Sequence, residues 1–200
     1  VQALNELADF ELASGQERAA IRHWCDGVDA IFSVYDAIKQ WRDLVASCNG
    51  DDVIAKRGFF EIAIGICMLS KIVRHDGKST DLGRSREHVL CAVCLVKEML
   101  KCSLSHPMRL RDFRNSQTET LWPGFDPFLN LDRLRPSDLI DALEFLCSRL
   151  LGNDEVKDVL PLSILMEQIA SRSCRSSRIV ARARTLRLTA LIQLGFISDA

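Results

Sequence analysis

The pattern of apolar residues predicts helices along most of the chain. From Leu160 onwards, two apolar sets recur at intervals of three and four, which is the spacing of one helical stripe. The sets are Leu162, Leu165, Met166, Ile169 and Ala170, and then Ile179, Ala183, Leu186, Ala190, Leu191 and Leu194. We predict that Pro161 opens the first helix, where its missing N–H costs nothing, and that Gly195 ends the second as a left-handed cap. The stretch is therefore predicted to be a helical hairpin, with another helix starting at Phe196.

A second hairpin is predicted at the start of the chain, from residues 3–13 and 16–32 with Gly15 in the turn. Its residues follow the tetratricopeptide spacing, in which a small residue of the first helix nests against a large residue of the second. Trp24 is the predicted large inward residue, facing Ala8. Hairpins that begin and stop in mid-unit at the two ends indicate a segment of a longer array. The predicted fold is an all-α, tetratricopeptide-like helical-hairpin solenoid segment.

Four more helices are predicted between these hairpins. They cover residues 35–46, 54–75, 85–103 and 137–151. Gly58 and Gly65 lie on nearly one face of the second of them, which predicts the close approach of a neighbouring helix; the alternative is that both are weak positions that the helix tolerates. Ser137 is the predicted N-cap of the last. No stretch alternates with a period of two for long, so no sheet is predicted.

Residues 105–136 break the helical pattern. They contain four of the five prolines and several aromatic residues, and they are long for a bare loop. We predict an ordered irregular excursion pinned by aromatic side chains such as Trp122. The predicted organisation is hairpins over 1–104, this excursion over 105–136, and further hairpins over 137–200 that continue beyond the chain end.

The charge balance is almost even, with 26 Lys and Arg against 27 Asp and Glu. This argues against nucleic-acid binding, which usually needs a basic excess. No run of about 18 uncharged apolar residues is present and no secretory signal is recognised, so no membrane segment is predicted. Eight cysteines lie scattered within apolar helical patterns. We expect them to be reduced, buried side chains in a cytoplasmic setting.

One cluster has the residue types of a metal site. It consists of His88, Cys91 and Cys94, with Cys102 and His106 downstream. Zinc accepts such ligands, but structural zinc sites usually fold their ligands around a turn. The stretch contains no glycine or proline and is predicted to be continuous helix. We therefore expect Cys91 and Cys94 to lie on the buried stripe without a metal, and zinc binding is the alternative.

No catalytic constellation is recognised in the sequence. Neither common phosphate-binding loop is present, and Ser, His and Asp are dispersed without a nucleophile elbow. Acidic pairs such as Asp51–Asp52 fall in predicted loops, where solvated helix ends explain them. The chain is therefore predicted to be no enzyme and to need no cofactor.

A strip of positive charge is the remaining feature. Six arginines fall within sixteen residues, and no Asp or Glu occurs from Gln168 to Ser198. The arginines are Arg172, Arg175, Arg178, Arg182, Arg184 and Arg187. One interpretation is a solvated face, partly paired with acids elsewhere in the array. The other is a docking strip for an acidic partner, made by Arg175, Arg178, Arg182 and Arg184, while Arg187 lies closer to the apolar stripe and pairs internally.

Calmodulin is an alternative partner for this basic helix. Ile179, Leu186 and Ile192 have the separations of apolar anchors in calmodulin targets. The same residues are needed for the core of the hairpin, which weighs against this interpretation.

Five segments, taken in order, carry a resemblance to a known family. They are WCDGVDAIF (24–32), LVKEMLKCSLSHP (95–107), LWPGFDPFLNLDRLR (121–135), VLPLSILMEQIASRSC (159–174) and ARTLRLTALIQLGFISDA (183–200). The chain resembles part of the very large cilia- and flagella-associated proteins of the axonemal central pair. The resemblance implies a non-enzymatic helical scaffold of a projection on one central microtubule, located in the cytoskeleton of the cilium. It also implies partners among other projection subunits, calmodulin as a further partner, indirect microtubule association, and a role in cilium assembly and movement.

Two other classes of protein stay open. One is a cytoplasmic helical-repeat adaptor unconnected to cilia, such as a trafficking or ubiquitin-ligase subunit. The other is a helical enzyme domain, against which the lack of clustered titratable groups weighs. The location of a tagged full-length chain in the cell separates the scaffold from the adaptor.

Overall fold

The chain is described by a computed structural model over residues 1–33, 53–76, 82–103, 134–152, 155–174 and 176–196. These ranges hold seven α-helices and no strand. The helices are α1 (Gln2–Ala13), α2 (Glu17–Ser33), α3 (Val53–Asp76), α4 (Leu82–Ser103), α5 (Pro136–Leu151), α6 (Val159–Ile169) and α7 (Ser177–Gln193). Consecutive helices pack together as α1 on α2, α2 on α3, α5 on α6 and α6 on α7. The predicted all-α segment of helical hairpins is confirmed.

Two compact units divide the chain, Val1–Leu95 and Val96–Ala200. The division falls within α4, close to the predicted boundary after residue 104, and the three-part organisation itself stays a prediction. The predicted helix over 35–46 and most of the predicted excursion over 105–136 lie outside the described residues. Within the described parts, no helix is both long and apolar enough to cross a membrane.

The first unit begins with the predicted hairpin, and α1 and α2 match the expected bounds to within one residue. Gly15 joins them with a φ of 78°, a left-handed conformation that glycine adopts at little cost. Its N–H donates to the carbonyl of Leu12 at 3.0 Å, and the N–H of Gln16 donates to the carbonyl of Glu11 at 2.8 Å. These bonds satisfy carbonyls that the end of α1 leaves without a helical partner.

Trp24 lies at the centre of the first unit's core. Its side chain has no exposed surface, and neither have Ala8 of α1 and Ala20 of α2. The prediction that Trp24 points inward is confirmed. Two small, fully buried residues on these helices let α1 and α2 pack closely beside the indole ring.

Gly65 allows the neighbours of α3 to approach closely. A Cβ atom at this position would lie 2.5 Å from Cδ1 of Ile31 and 3.1 Å from Cδ1 of Leu95. The predicted close approach is therefore confirmed at Gly65. The surroundings of Gly58 lie outside the described residues.

Polar side chains of α3 form ion pairs with the first hairpin next to the Trp24 ring. Nζ of Lys71 lies 2.5 Å from Oδ1 of Asp9 and 5.5 Å from the centre of the Trp24 ring. The ring of His75 lies 5.7 Å from that of Trp24, and its Nδ1 is 2.9 Å from Oε1 of Glu17. Partly exposed ion pairs contribute little to stability by themselves. Their effect here is to fix how α3 lies against the indole ring.

The second unit is built around α6, whose residues are buried along the whole helix. A 3₁₀ turn (Val156–Asp158) precedes the helix and a π turn (Ala170–Cys174) follows it. The helix begins at Val159, two residues before the expected start at Pro161. Proline is tolerated there because the N–H groups of the first turn have no partner within the helix. A helix that is apolar on nearly all sides requires neighbours on all sides.

The start of α5 differs from the prediction. The helix begins at Pro136 and its N-cap is Arg135, whose backbone is extended with φ −67° and ψ 129°. The prediction that Ser137 caps the helix is wrong, because the fixed φ of Pro136 suits the first helical position and moves Ser137 inside the helix. Oγ of Ser137 instead donates to Oδ1 of Asp138 at 3.4 Å.

We predict that Trp24→Ala lowers the free energy of unfolding by ~3–5 kcal/mol, because it leaves a cavity between α1, α2 and α3. The measurement is urea unfolding followed by circular dichroism. Phe10→Ala is the matched control, since this aromatic side chain of α1 is 69% exposed and its loss should cost less than ~0.5 kcal/mol. Equal losses in the two variants would show that Trp24 is not the centre of the core.

Candidate interaction surface

Arg178, Arg182, Arg184 and Arg187 of the arginine strip lie on α7, and this helix has a cap at each end. Oγ of Ser176 accepts a bond from the N–H of Ile179 at 3.4 Å and caps the start of the helix. Gly195 follows the end with a φ of 79°, as predicted for a left-handed cap. Ala183 and Ala190 are the buried residues of α7, and the helix packs mainly on α6.

Glu167 of α6 is the buried anchor of this surface. Its side chain is 2% exposed, and its two oxygens contact two arginines of α7. Nε of Arg184 donates to Oε1 at 2.7 Å, and Nη2 of Arg187 lies 2.9 Å from Oε2. A buried carboxylate needs such compensation, because an unpaired charge in the interior is strongly unfavourable. The guanidinium groups therefore help to fix α7 on α6.

The other arginines of the strip have different surroundings. Arg182 forms an ion pair with Glu144 of α5 while most of its side chain stays exposed. Arg178 is exposed at the start of α7, in a first turn that contains no acidic residue. Arg175 and the side chain of Arg172 lie outside the described residues. Three of the predicted partner-binding residues thus lie on one helix, and two of them also bind carboxylates of their own chain.

An apolar stripe on the outer side of α7 completes the surface. Leu188, Ile192 and Phe196 are 49%, 45% and 42% exposed. Leu188 and Ile192 lie four residues apart on the side of α7 away from the buried Ala183 and Ala190. Phe196 follows the end of the helix, after the left-handed Gly195. The expected calmodulin anchors are distributed between these sides, since Ile179 and Leu186 are partly buried and Ile192 is exposed. Calmodulin binding stays a prediction.

The cysteines of α4 are placed differently from the prediction. Cys94 is exposed and Cys91 is partly exposed, so the prediction that both belong to the buried stripe is wrong. The buried side of α4 is formed by Val89, Ala92, Val93, Leu95, Val96, Met99 and Leu100. Cys91 lies at the edge of that side, and Cys94, about one turn further on, lies on the exposed side of the helix. Within the described residues, no three His, Cys, Asp or Glu side chains are grouped to hold a metal ion.

The described cysteines are free thiols, and their environments differ. Burial raises the pKa of the Cys147 thiol in α5 to about 12, with a smaller contribution from the negative charge of Glu144. Burial also raises the pKa of Cys91, and the neighbouring Cys94 adds to the rise. A neutral thiol is a poor nucleophile, so none of this points to thiol catalysis.

Glu167 and the apolar stripe of α7 are the features that sequence reasoning missed. A carboxylate inside the run Leu165, Met166, Ile169 is a signal for a buried partner, since charges are rarely buried unpaired. The exposed apolar side of α7 is harder to predict, because this helix carries apolar residues on more than one side. Its sequence therefore does not indicate which of these sides faces the core.

The fold and its polar contacts define a class of protein, a helical-hairpin segment whose charged side chains join neighbouring helices. No family profile and no solved structure matches the chain. The chain is similar to cilia- and flagella-associated protein 54 of three organisms, as the segments noted above indicated. It is 24% identical to the Homo sapiens and Mus musculus proteins over 100% of its length, and 27% identical to the Chlamydomonas reinhardtii protein over 99%. The chain spans only 6–7% of the length of these relatives.

We predict that Arg187→Met lowers the free energy of unfolding by about 2–4 kcal/mol, because it leaves the buried carboxylate of Glu167 with Arg184 alone. Arg178→Met is the matched control and should change it by less than ~0.5 kcal/mol. The double variant Arg187→Met, Glu167→Leu should recover at least half of the lost free energy of unfolding, since the buried charge is then absent. Losses as small as that of Arg178→Met would show that Glu167 does not depend on Arg187.

A second prediction concerns thiol reactivity. At about pH 8, iodoacetamide should modify Cys94 before the other described cysteines and leave Cys147 unmodified until the chain unfolds, as read from peptide masses. Because the folded pKa of Cys147 lies above the ordinary thiol value, its contribution to stability is complete below pH 9 and is lost as the pH rises towards 12. A Cys94→Ser variant is the control for the first site of labelling. Equal rates at Cys94 and Cys147 in the folded chain would contradict the prediction.

Proposed function

We propose that this chain is a segment of a non-enzymatic scaffold in motile cilia and flagella, built into the central apparatus of the axoneme. The observation that carries the proposal is the similarity over 99–100% of the chain to proteins named for cilia and flagella in three organisms. The chain aligns with very long proteins of one alga and two mammals. It covers only a small part of each. The proposed role is therefore that of one stretch of a much larger scaffold.

The fold supports a scaffold because its polar side chains connect helices. Lys97 of α4 binds Asp158 at 2.6 Å just before α6, and Glu167 of α6 binds Arg184 of α7 at 2.7 Å. The first pair connects α4 to the turn before α6, and the second joins the successive helices α6 and α7. Stacked helices of this kind offer extended surfaces for assembly and need no catalytic centre. The proposal accordingly assigns no catalytic residue, cofactor or metal.

The proposed place of action is one projection of a central microtubule. There the segment contacts other projection subunits, and it associates with the microtubule indirectly through them. Neither a nucleic acid nor a membrane is a proposed partner. A subunit that joins its neighbours in a projection is needed for assembly of that projection, and through it for cilium movement.

The proposed contact for an acidic neighbour is formed by Arg175, Arg178, Arg182 and Arg184. A cation in the first turn of a helix is unfavourable, since that end of the helix dipole is positive. Arg178 has this position and is exposed, so a partner's carboxylate would relieve the repulsion. Arg182 and Arg184 are 60% and 63% exposed despite their internal pairs. A guanidinium has N–H groups in two directions, so each can bind a second carboxylate.

The location of the full-length protein tests the role directly. A tagged full-length chain in ciliated cells should lie along the axoneme and be absent from axonemes that lack the central pair. A protein distributed through the cytoplasm, with no ciliary signal, would favour the alternative of a cytoplasmic helical-repeat adaptor.

We predict that reversing Arg175 and Arg178 to Glu in the full-length protein weakens co-purification with other projection subunits by roughly tenfold. Circular dichroism of the segment should be unchanged, because no carboxylate of the described residues forms an ion pair with the exposed Arg178. The parent interaction should weaken as salt rises from about 50 to 300 mM, since exposed charge pairs are screened. The matched control reverses Arg18 and Arg22, two exposed arginines of α2.

Reversal of Arg182 and Arg184 should have a second effect. Glu144 and Glu167 then face negative charges, so the melting temperature of the segment should fall as well. A folded Arg175 and Arg178 variant that assembles as well as the parent at moderate salt would show that the strip is only a solvated surface.

A further inference from the structure

Cys91 and Cys94 are the closely spaced pair of thiols in this sequence. No other two of the eight cysteines lie within four residues of each other. Both lie on α4, where Cys94 is exposed and Cys91 is partly exposed. Residues three apart on a helix are neighbours on its surface. The proposed scaffold role makes no use of this pair.

The charges around Cys91 show that the two thiols interact. Burial is the largest cause of the raised pKa of Cys91, and the negative charge of an ionised Cys94 is the next. Glu87 of α4 and Asp29 of α2 add to the rise. Converting Cys94 to a neutral group removes one of these charges, so Cys91 becomes a better nucleophile. The exposed Cys94 should therefore react with an oxidant first, and Cys91 second.

The spacing on the helix permits a bond between the two sulfur atoms, but a strained one. In a regular helix the Cα atoms of residues three apart are about 5 Å apart, which is within the range of disulfides. Their Cβ atoms are about 5–6 Å apart, whereas a disulfide brings Cβ atoms to about 3.5–4.5 Å. Closing the bond therefore contracts α4 locally by about 1–2 Å. Strained and exposed disulfides are the easily reduced ones, and many of them are regulatory.

Leu95 connects this part of α4 to α3. It is fully buried and follows Cys94 directly in the chain. Its Cδ1 atom lies 3.1 Å from the place that a Cβ atom of Gly65 would take, and Ile31 fills the same place from α2. Packed interiors contain few voids and transmit small shifts. A contraction of α4 at Cys94 should therefore disturb its packing on α3.

We propose that Cys91 and Cys94 form a reversible redox site, in which hydrogen peroxide closes a disulfide within α4 and loosens its packing. The sulfur of Cys94 attacks one peroxide oxygen, the O–O bond breaks, and one water leaves a sulfenic acid on Cys94. The sulfur of Cys91 then attacks that of Cys94, the S–O bond breaks, and a second water leaves. Two thiols and one hydrogen peroxide thus give one disulfide and two waters.

The surroundings favour a small neutral oxidant. The carboxylates of Glu87 and Asp29 repel an anion such as glutathione disulfide, but they do not repel hydrogen peroxide. A dithiol reductant reopens the bond by thiol–disulfide exchange. The inference is independent of the proposed ciliary role, since it concerns the chemistry of one helix.

The test is treatment of the chain with hydrogen peroxide, followed by iodoacetamide and mass measurement of tryptic peptides. Trypsin cleaves after Arg86 and Lys97, so both thiols and no other cysteine fall in the peptide of residues 87–97. This peptide should lose two hydrogens and take up no iodoacetamide, and dithiothreitol should restore both alkylation sites. The oxidised chain should melt about 2–4 °C below the reduced chain, as followed by circular dichroism.

Two single variants and a matched control test the order of reaction. In Cys91→Ser, Cys94 should stop at the sulfenic acid, which dimedone traps on the same peptide. In Cys94→Ser, Cys91 should stay reduced and react with iodoacetamide. Peroxide should lower the melting temperature of neither variant. Cys174→Ser removes a partly exposed thiol with no other cysteine within four residues, and it should behave like the parent.

Three results would overturn the proposal. The first is a peptide of residues 87–97 that keeps two alkylatable thiols after peroxide treatment, whether or not the Cys91→Ser variant forms a sulfenic acid. The second is a disulfide that joins Cys91 or Cys94 to another peptide. The third is an oxidised chain that melts at the same temperature as the reduced chain.

Discussion

A helix in a stack of hairpins has to bury apolar residues on more than one side against its neighbours. This constraint determines how most of the described helices pack. In the second unit, α6 meets it fully, because every residue from Val159 to Ile169 is buried. In the first unit, Trp24 and Gly65 meet it by close packing between α2 and its neighbours. The helices α1 and α7 also carry exposed apolar side chains, Leu7 and Phe10 on α1 and Leu188 and Ile192 on α7.

The positions of the charged side chains on α6 and α7 follow from the same constraint. Burying all sides of α6 also buries Glu167, and a buried carboxylate has to be compensated by cations from the next helix. Arg184 and Arg187 supply them, so part of the arginine strip is internal structure. Arg178 is exposed and lies where the helix dipole is least favourable for a cation. One strip of sequence thus contains both the connection between two helices and the proposed contact to a partner.

Features that depend on neighbouring residues in the chain could be predicted from the sequence. The bounds of α1 and α2, the turn at Gly15 and the cap at Gly195 follow from local backbone preferences and helical spacing. The inward position of Trp24 follows from the tetratricopeptide spacing. The cap at Ser137 was predicted wrongly because two adjacent residues both favour a helix start, and proline takes the first helical position.

Features that depend on tertiary packing could not be predicted in this way. Cys94 has the residue type and spacing of a buried position, but α4 turns another side towards the core and leaves it exposed. The exposure of Leu188 and Ile192 has the same origin, since apolar residues on several sides of α7 make each of them a candidate for the core. The pairing of Glu167 with Arg184 and Arg187 depends on how α6 and α7 cross.

The central claim is that this segment is part of a scaffold in the central apparatus of motile cilia. Deleting residues 1–200 from the full-length protein in a ciliated cell, followed by cryo-electron tomography of the axoneme, tests it most directly. The account predicts that one projection of a central microtubule loses density while the doublet microtubules are unchanged, and that the beat is impaired. A complete set of central projections together with a normal beat would contradict it.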